Sequence, residues 1–333
     1  IGAITPTTNP TETVINNAIG MLAAGNSVVF SPHPRATKIT HWLIRELNRA
    51  LVAAGAPANL IVTVQNPSIE NTNAMMSHKL VRLLVATGGP GIVKAVLSSG
   101  KKAIGAGAGN PPALVDATAD IEKAARDIVL GSSFDNNLPC TSEKEVIAVD
   151  SITDLLKFEM VKNGAYELRD PALIDKLVAL VVNGRHAVTD WVGKDASVIL
   201  EALGVLAPAG TKLIIAEVPF EHPFMRVELM MPILPIVRAA TLEQAMDWAV
   251  IAEHGNRHTA VMHSSDVNAL TTMAKRIQTT IFVKNGRSQA GLGLDGEGTC
   301  SFTIASPTGE GLTGPRSFSR WRRCVLVDHF RIT

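Results

Sequence analysis

The sequence predicts an α/β protein built from two parallel-sheet units, and three observations carry that expectation. Strand-like and helix-like segments alternate from Ile1 to Ile104, the order that lays a parallel sheet between covering helices. The chain has 333 residues, more than one ordinary core serves, so two domains are the starting expectation. Hydrophobic residues make up 46% of it and charged residues 18%, the balance of an α/β enzyme with a sizeable interior.

The first unit reads in order. A strand at Gly2–Ile4 leads into Thr5-Pro6-Thr7-Thr8-Asn9-Pro10, then a helix with Val14, Ile15, Ala18, Ile19 and Leu22 on one face, Thr11 as N-cap and Gly25 as stop. Ser27–Phe30 is a strand, Thr37–Ala54 a helix, Leu60–Val64 a strand, and a short helix lies near Glu70–Met76. The strand Arg82–Ala86 runs into Thr87-Gly88-Gly89-Pro90-Gly91 and a helix from Ile92 to Leu97. Free backbone N–H groups and the helix dipole at such a bend can receive a phosphate, although Gly-Gly-Pro-Gly is also the ordinary form of a tight turn. After the strand Lys101–Ile104, Gly105-Ala106-Gly107-Ala108-Gly109-Asn110-Pro111-Pro112 alternates glycines whose bareness suits close approach of a ligand or another backbone, or a linker. The boundary is placed here: residues 1–108 are expected to bind nucleotide, 109–305 to be catalytic, and 306–333 to return and carry an oligomerisation strand.

In the second unit Ile121, Ala124, Ala125, Ile128 and Val129 recur at helical spacing and Gly131 ends that helix. A polar loop, Phe134-Asp135-Asn136-Asn137-Leu138-Pro139-Cys140, separates it from the strand Glu145–Val149. Free cysteine usually serves as a small buried hydrophobe. Asn136, Asn137 and Pro139 on one side and Thr141, Ser142, Glu143 and Lys144 on the other are poor core material, so Cys140 is expected to be an accessible nucleophile. Cys300 and Cys324 adjoin strand-like runs and are expected to be structural. A helix near Ile152–Lys162 and strands at Lys212–Ala216, Ile236–Arg238 and Thr280–Val283 follow, while residues 163–210 are too weakly patterned to assign. Gly286, Gly291, Gly293, Gly296 and Gly298 predict a long mobile functional segment. A last strand from Cys324 through Ile332 has no local partner, which points to a second subunit.

Composition excludes several classes. A net charge of +1 without a long basic or acidic block gives no footprint for nucleic acid or an anionic membrane. No apolar run approaches the roughly 20 residues that span a bilayer, and no basic-then-apolar signal opens the chain, so a soluble protein is expected. Three distant cysteines form neither a CxxC pair nor a metal spacing, and an odd count argues against a disulfide scaffold; a reducing compartment is expected. The chain starts at Ile1 inside a strand with no initiator methionine, so an N-terminal piece is expected to be missing.

Six motifs in sequence order complete the reading: Thr5–Pro10, Ser31-Pro32-His33-Pro34, Thr87–Gly91, Gly105–Pro112, Phe134–Cys140 and Glu228-Leu229-Met230-Met231-Pro232. Together, over essentially the whole chain, they resemble the CoA-acylating branch of the aldehyde dehydrogenase superfamily, most nearly the propionaldehyde dehydrogenases of bacterial microcompartments. The resemblance implies an aldehyde dehydrogenase-like fold, with a Rossmann-type nucleotide domain incomplete at its N-terminus beside an α/β catalytic domain. It implies NAD as cofactor, CoA and a short aliphatic aldehyde as substrates, and a homodimer or homotetramer in the lumen of a compartment in the bacterial cytoplasm, beside shell or lumen proteins. An acetaldehyde-preferring enzyme of ethanolamine use and a non-catalytic compartment protein are the alternatives.

Site roles follow from the same resemblance. Cys140 matches the family thiolate, and the oxyanion asparagine falls at Thr8 or Asn9. Thr87, Gly88 and Gly89 match the phosphate turn, Ser31, Pro32 and His33 occupy the adenosine-side position, and Glu228 matches the acid that holds the nicotinamide ribose. His258 matches a histidine assigned a catalytic part, with a helix-end structural role as the plain alternative. Gly105, Ala106 and Gly107 stand where hydrolytic relatives place a water-activating glutamate. Thioester hydrolysis needs a base within reach of a water, whereas a thiol acceptor needs room, so the bare stretch favours CoA.

Overall fold

A computed structural model of the chain describes residues 1–327. The first unit is a five-stranded parallel sheet of β1 (Gly2–Thr5), β2 (Val28–Pro32), β3 (Ile61–Thr63), β4 (Leu83–Thr87) and β5 (Lys102–Ala106), in the order β3-β2-β1-β4-β5. Helices α1 (Pro10–Ala23), α2 (Thr37–Ala53), α3 (Ile69–Ser77) and α4 (Pro90–Leu97) make the crossovers. Winding reverses between β1 and β4, and at such a switch point the loops beyond the strand carboxyl ends leave a crevice for a ligand. Asn9, rather than Thr11, is the N-cap of α1, because Pro10 suits the first helical position and has no N–H to satisfy. Ala3, Val14, Phe30, Val85 and Ile104 are fully buried in this core, and the returning chain adds Ala305 and Phe318 to it. A Cβ on Gly20 would stand 2.9 Å from the Phe318 ring, so only glycine lets the return segment close on α1.

The second unit is a seven-stranded parallel sheet, β14-β13-β6-β7-β12-β11-β8. Its strands are β6 (Pro112–Val115), β7 (Glu145–Val149), β8 (Ala165–Glu167), β11 (Leu213–Glu217), β12 (Ile233–Ala239), β13 (Thr259–His263) and β14 (Ile281–Lys284), while β9 (Val182–Asn183) and β10 (His186–Ala187) form a separate hairpin. Helices α5 (Ile121–Ser133), α6 (Asp150–Lys162), α7 (Pro171–Val181), α8 (Ala196–Ala202), α9 (Leu242–Ala252) and α10 (Val267–Ile277) accompany them. β15 (Ile304–Ala305) and β16 (Gly311–Leu312) pair antiparallel in the return segment. Central strands covered on both faces read as continuous apolar runs such as Val146–Val149, all buried.

Several expectations need correction. Gly131 lies inside α5, which continues to Ser133. Residues 163–210 hold β8, α7, the hairpin and α8; Asp170 caps α7, Pro171 starts it, and Ile174, Leu177 and Val181 form its buried stripe. The segment after β14 is packed only in its first half: Ser288–Leu292 forms a 3-10 turn with Ser288, Gln289 and Leu292 buried, and residues 294–300 are exposed throughout. No strand occurs among the described residues Trp321–Val327, and the remainder of the expected last strand lies outside the described residues. Among the described residues no helix is long and apolar enough to cross a membrane.

Candidate active site

The carboxyl edge of the first sheet feeds directly into the amino edge of the second. β5 ends at Ala106, Gly107–Pro111 crosses, and β6 begins at Pro112. At that amino edge His258 immediately precedes β13, Lys144 precedes β7, and Pro232 precedes β12, so four adjacent parallel strands bring separate segments to one rim. Cys140 belongs to the segment before β7.

Its loop is shaped by an unusual run of backbone. Asp135, Asn136 and Asn137 have φ of 47°, 50° and 64°, three successive left-handed residues. Aspartate and asparagine tolerate that region better than other residues with a side chain, which accounts for the Asp-Asn-Asn spelling. Side chains then lock the turn. Asn137 Nδ2 donates to the carbonyls of Ser132 (2.8 Å) and Glu143 (2.9 Å), and Asn136 Nδ2 donates to Gly193 O (3.0 Å) and Asp195 Oδ1 (2.7 Å). Lys144 Nζ donates to Asn137 O and Oδ1, each at 2.7 Å, and to Pro139 O at 3.1 Å. Thr141 through Glu145 are all at most 3% exposed, so this polar run is interior support, although Thr141–Lys144 read as poor core material.

Glu143 accepts hydrogen bonds from the Ser288 amide and hydroxyl, each at 2.8 Å. Burial raises its pKa to about 7 against the opposing effect of those bonds. A Cβ on Gly131 would fall inside this carboxylate, 2.5 Å from Oε1 and 2.6 Å from Cδ, which explains a glycine in the middle of the last turns of α5. Glu145, held by Asn110 Nδ2 at 3.0 Å, has its pKa pushed well up by burial, with the nearby Glu253 charge adding to the rise and Lys144 opposing it.

Around the nucleophile, Gly109 is the contact point. A Cβ there would stand 2.5 Å from Cys140 O, 3.1 Å from His258 Cγ and 3.2 Å from His258 Nδ1, so a side chain would force the loop and the imidazole apart. Cys140 is half-buried. Burial pushes its thiol up to about 12, the Glu228 carboxylate adds to the rise, and the Lys144 ammonium opposes it. His258 is 1% exposed; its amide donates to Glu253 Oε1 (2.8 Å), its Nδ1 pairs with Thr259 Oγ1 (2.8 Å), and its Nε2 has no partner. Burial, with help from Lys144, lowers its pKa to about 4, so the ring is neutral near pH 7. Burial raises the Glu228 pKa, opposed by Lys144 and by the Gly109 amide.

Residues of the first unit divide. The Thr8 hydroxyl donates to Asn9 Oδ1 (2.7 Å), and the Asn9 side chain makes no capping bond, so its amide nitrogen is uncommitted among the described residues. Thr87 Oγ1 pairs with Thr303 Oγ1 (3.0 Å), and the Gly88 amide donates to Ala106 O (3.0 Å). Gly89 and Gly91 face open space at the start of α4. Ser31 and Pro32 are buried, with Ser31 Oγ bonded to Thr72 Oγ1 (2.9 Å); His33 is exposed and its Nδ1 accepts from the Arg35 amide. The space at Gly105 is taken by Val93, 2.8 Å from a notional Cβ, and that at Gly107 by Pro307 at 3.3 Å, so these two glycines admit neighbouring chain. Ala106 is buried between them. Cys300 and Cys324 are exposed, against the structural roles expected of them.

The structure thus gathers Cys140, His258, Glu228 and the Gly107–Pro111 link. Sequence reasoning missed Gly109 as the contact, along with Lys144, Glu143 and Glu145. The available signal was a charged run, Glu143-Lys144-Glu145, abutting a wholly apolar strand, where a charge can be interior only if it is paired.

Residues 1–177 match the aldehyde dehydrogenase family. The chain is 50% identical to a CoA-propanoylating propanal dehydrogenase of Salmonella typhimurium, over all of this chain and 72% of that protein. A crystal structure of Rhodopseudomonas palustris propionaldehyde dehydrogenase with bound propionyl-CoA superposes with a TM-score of 0.96 at 64% identity, over 98% of this chain and 72% of that one. A propionaldehyde dehydrogenase from the Clostridium phytofermentans fucose utilisation microcompartment gives 0.96 at 52% identity, over 100% and 76%. The chain belongs to the aldehyde dehydrogenase family, in its CoA-acylating branch.

Proposed function

We propose that the protein oxidises a short aldehyde, propanal in preference to acetaldehyde, with NAD, and passes the acyl group from Cys140 to CoA. The observation that carries this reading is the rim where Cys140, Gly109, His258 and Glu228 meet, fed by a Gly105–Gly109 stretch with no carboxylate to activate water.

The nucleotide fits the crevice at the β1/β4 switch point, where Gly89 and Gly91 leave open space before α4. Thr87, Gly88 and Gly89 would hold its phosphates, Ser31, Pro32 and His33 would bound the adenosine side, and Glu228 would hold the nicotinamide ribose. When bound, NAD supplies a hydride acceptor beside Cys140. Cys140 gives its thiol proton to a solvent water and adds to the aldehyde carbonyl carbon. The resulting oxyanion is held by the Cys140 backbone N–H and by the Asn9 amide, which Thr8 orients. Loss of hydride leaves a thioester on Cys140. The free Nε2 of neutral His258 then takes the proton of the CoA thiol, whose sulfur attacks the thioester carbonyl and expels Cys140.

Exposed Trp321, Val325 and Val327 support assembly into a homodimer or homotetramer. The likeness to a microcompartment enzyme supports a place in such a lumen. Cys140→Ala tests the assignment: NADH formation from propanal and CoA should vanish while NAD binding persists, and retained turnover would refute it.

A further inference from the structure

Lys144 belongs to none of the roles above, yet it is the buried cation beneath the nucleophile loop. It is 3% exposed and its ammonium donates to Asn137 O, Asn137 Oδ1 and Pro139 O at 2.7, 2.7 and 3.1 Å. An ammonium has three donors, and here three oxygens of the turn leading to Cys140 receive them. Burying a charge is costly unless it is paired and hydrogen-bonded, and neutral oxygens alone are a weak return for placing one here. Its charge must therefore be judged against what faces it. Burial lowers the Lys144 pKa, and the groups facing it oppose that fall: Glu228 from the segment before β12, Cys140 from its own loop, and Glu145 and Glu143 from its chain neighbours, while His258 faces it from the segment before β13. His258 is neutral near pH 7 and so cannot act as the cation partner that many reactive cysteines use.

We propose that Lys144 is the positioning residue of the nucleophile: its ammonium clamps the left-handed turn by three oxygens and is the charge that stabilises the Cys140 thiolate. Ionisation here moves one proton from the Cys140 sulfur to a solvent water; Lys144 keeps its own proton and donates no electrons or atoms. Burial and Glu228 push the thiol toward its neutral form and Lys144 pulls it back. The clamp and the charge have one cause, because the turn that points its carbonyls at Nζ also fixes where the sulfur stands relative to it. The proposal deepens the reading of Cys140 as nucleophile and rests on it, but its test reads the sulfur itself and needs neither aldehyde nor CoA.

The test is the second-order rate of alkylation by iodoacetamide at Cys140 across pH 6 to 10, followed peptide by peptide, with exposed Cys300 as the reference in the same molecules. Lys144→Gln keeps a donor for the turn and loses the charge, whereas Lys144→Arg keeps the charge. In the intact protein, Lys144→Gln should slow Cys140 alkylation about tenfold or more at pH 8, equivalent to a rise of about one pKa unit, with Cys300 unchanged. Lys144→Arg should stay within about threefold of the parent. Equal slowing in both variants, or none in Lys144→Gln, would overturn the proposal. If neither variant folds, Glu228→Gln decides from the other side. Glu228 is partly exposed, and neutralising it removes the carboxylate that opposes Lys144 at the Cys140 sulfur, so Cys140 should alkylate several-fold faster. An unchanged rate would show that charge in this pocket does not reach the sulfur and would equally overturn the proposal.

Discussion

Gly131→Ala separates this structure from ordinary helix behaviour by the sign of its effect. Replacing an interior helical glycine by alanine normally stabilises by about 0.5–1 kcal/mol, because glycine loses more backbone freedom and has poor helix propensity. Here the new methyl would occupy the space of the Glu143 carboxylate, standing 2.5 Å from Oε1 and 2.6 Å from Cδ. That carboxylate is fully buried and anchored by two 2.8 Å hydrogen bonds from Ser288, so it cannot swing aside without breaking them. Losing two such bonds at roughly 0.5–1.5 kcal/mol each, more for the ionised form, and overpacking the site by about 1–3 kcal/mol outweighs the helix gain. The expected net is a loss of roughly 1–5 kcal/mol, read from equilibrium urea unfolding as a lower midpoint at unchanged slope. Activity should fall with it, because Glu143 joins the Cys140 segment to Ser288. A variant stabilised by about 0.5–1 kcal/mol would refute the reasoning, since it would mean that Gly131 ends or exposes the helix.

Two further outcomes are expected. His263 is 2% exposed with an unpartnered Nε2, and burial lowers its pKa from 6.5 to about 4, against a nearby Asp127. A histidine with a depressed folded pKa adds stability above its unfolded value and loses it as pH falls from 6.5 toward 4, so the unfolded chain takes up the proton first. His263→Leu should therefore gain roughly 2 kcal/mol on the parent between pH 7 and pH 5, measured by urea unfolding at each pH; parallel pH profiles would contradict it. On the proposed assignment of the uncommitted Asn9 amide as oxyanion donor, Asn9→Ala should lower kcat by about 100-fold or more. Thr8→Ala should cost much less, and the reverse order in steady-state NADH formation would exchange their roles.

What was legible in the sequence was whatever local chemistry spells out. The strands and helices of the first unit were readable because parallel strands buried on both faces are apolar runs set between glycine and proline punctuation, as at Leu83–Thr87 before Gly88 and Gly89. Cys140 was readable because Asn136, Asn137 and Pro139 are wrong for a core. Burial was not. Thr141 through Lys144 look like surface and are interior, because their partners, Ser288 and Asn137, are supplied by the fold. Gly131 reads as a stop signal because glycine is the usual residue just past a helix end, and only the Glu143 carboxylate shows why it is needed inside α5. The same holds for the glycines of Gly105–Gly109, which serve three different neighbours, Val93, Pro307 and the Cys140 carbonyl. In residues 163–210, by contrast, Asp170-Pro171 followed by Ile174, Leu177 and Val181 is by itself a sufficient helix signal.

The most direct test of the central claim is the intact mass of the protein after mixing with propanal and NAD in the absence of CoA. A single propionyl adduct should form at Cys140, located by peptide mapping, together with one equivalent of NADH; adding CoA should remove it and yield propionyl-CoA. Continued NADH production with accumulation of propanoate and no CoA present, or propionyl-CoA formed without any adduct at Cys140, would contradict the account.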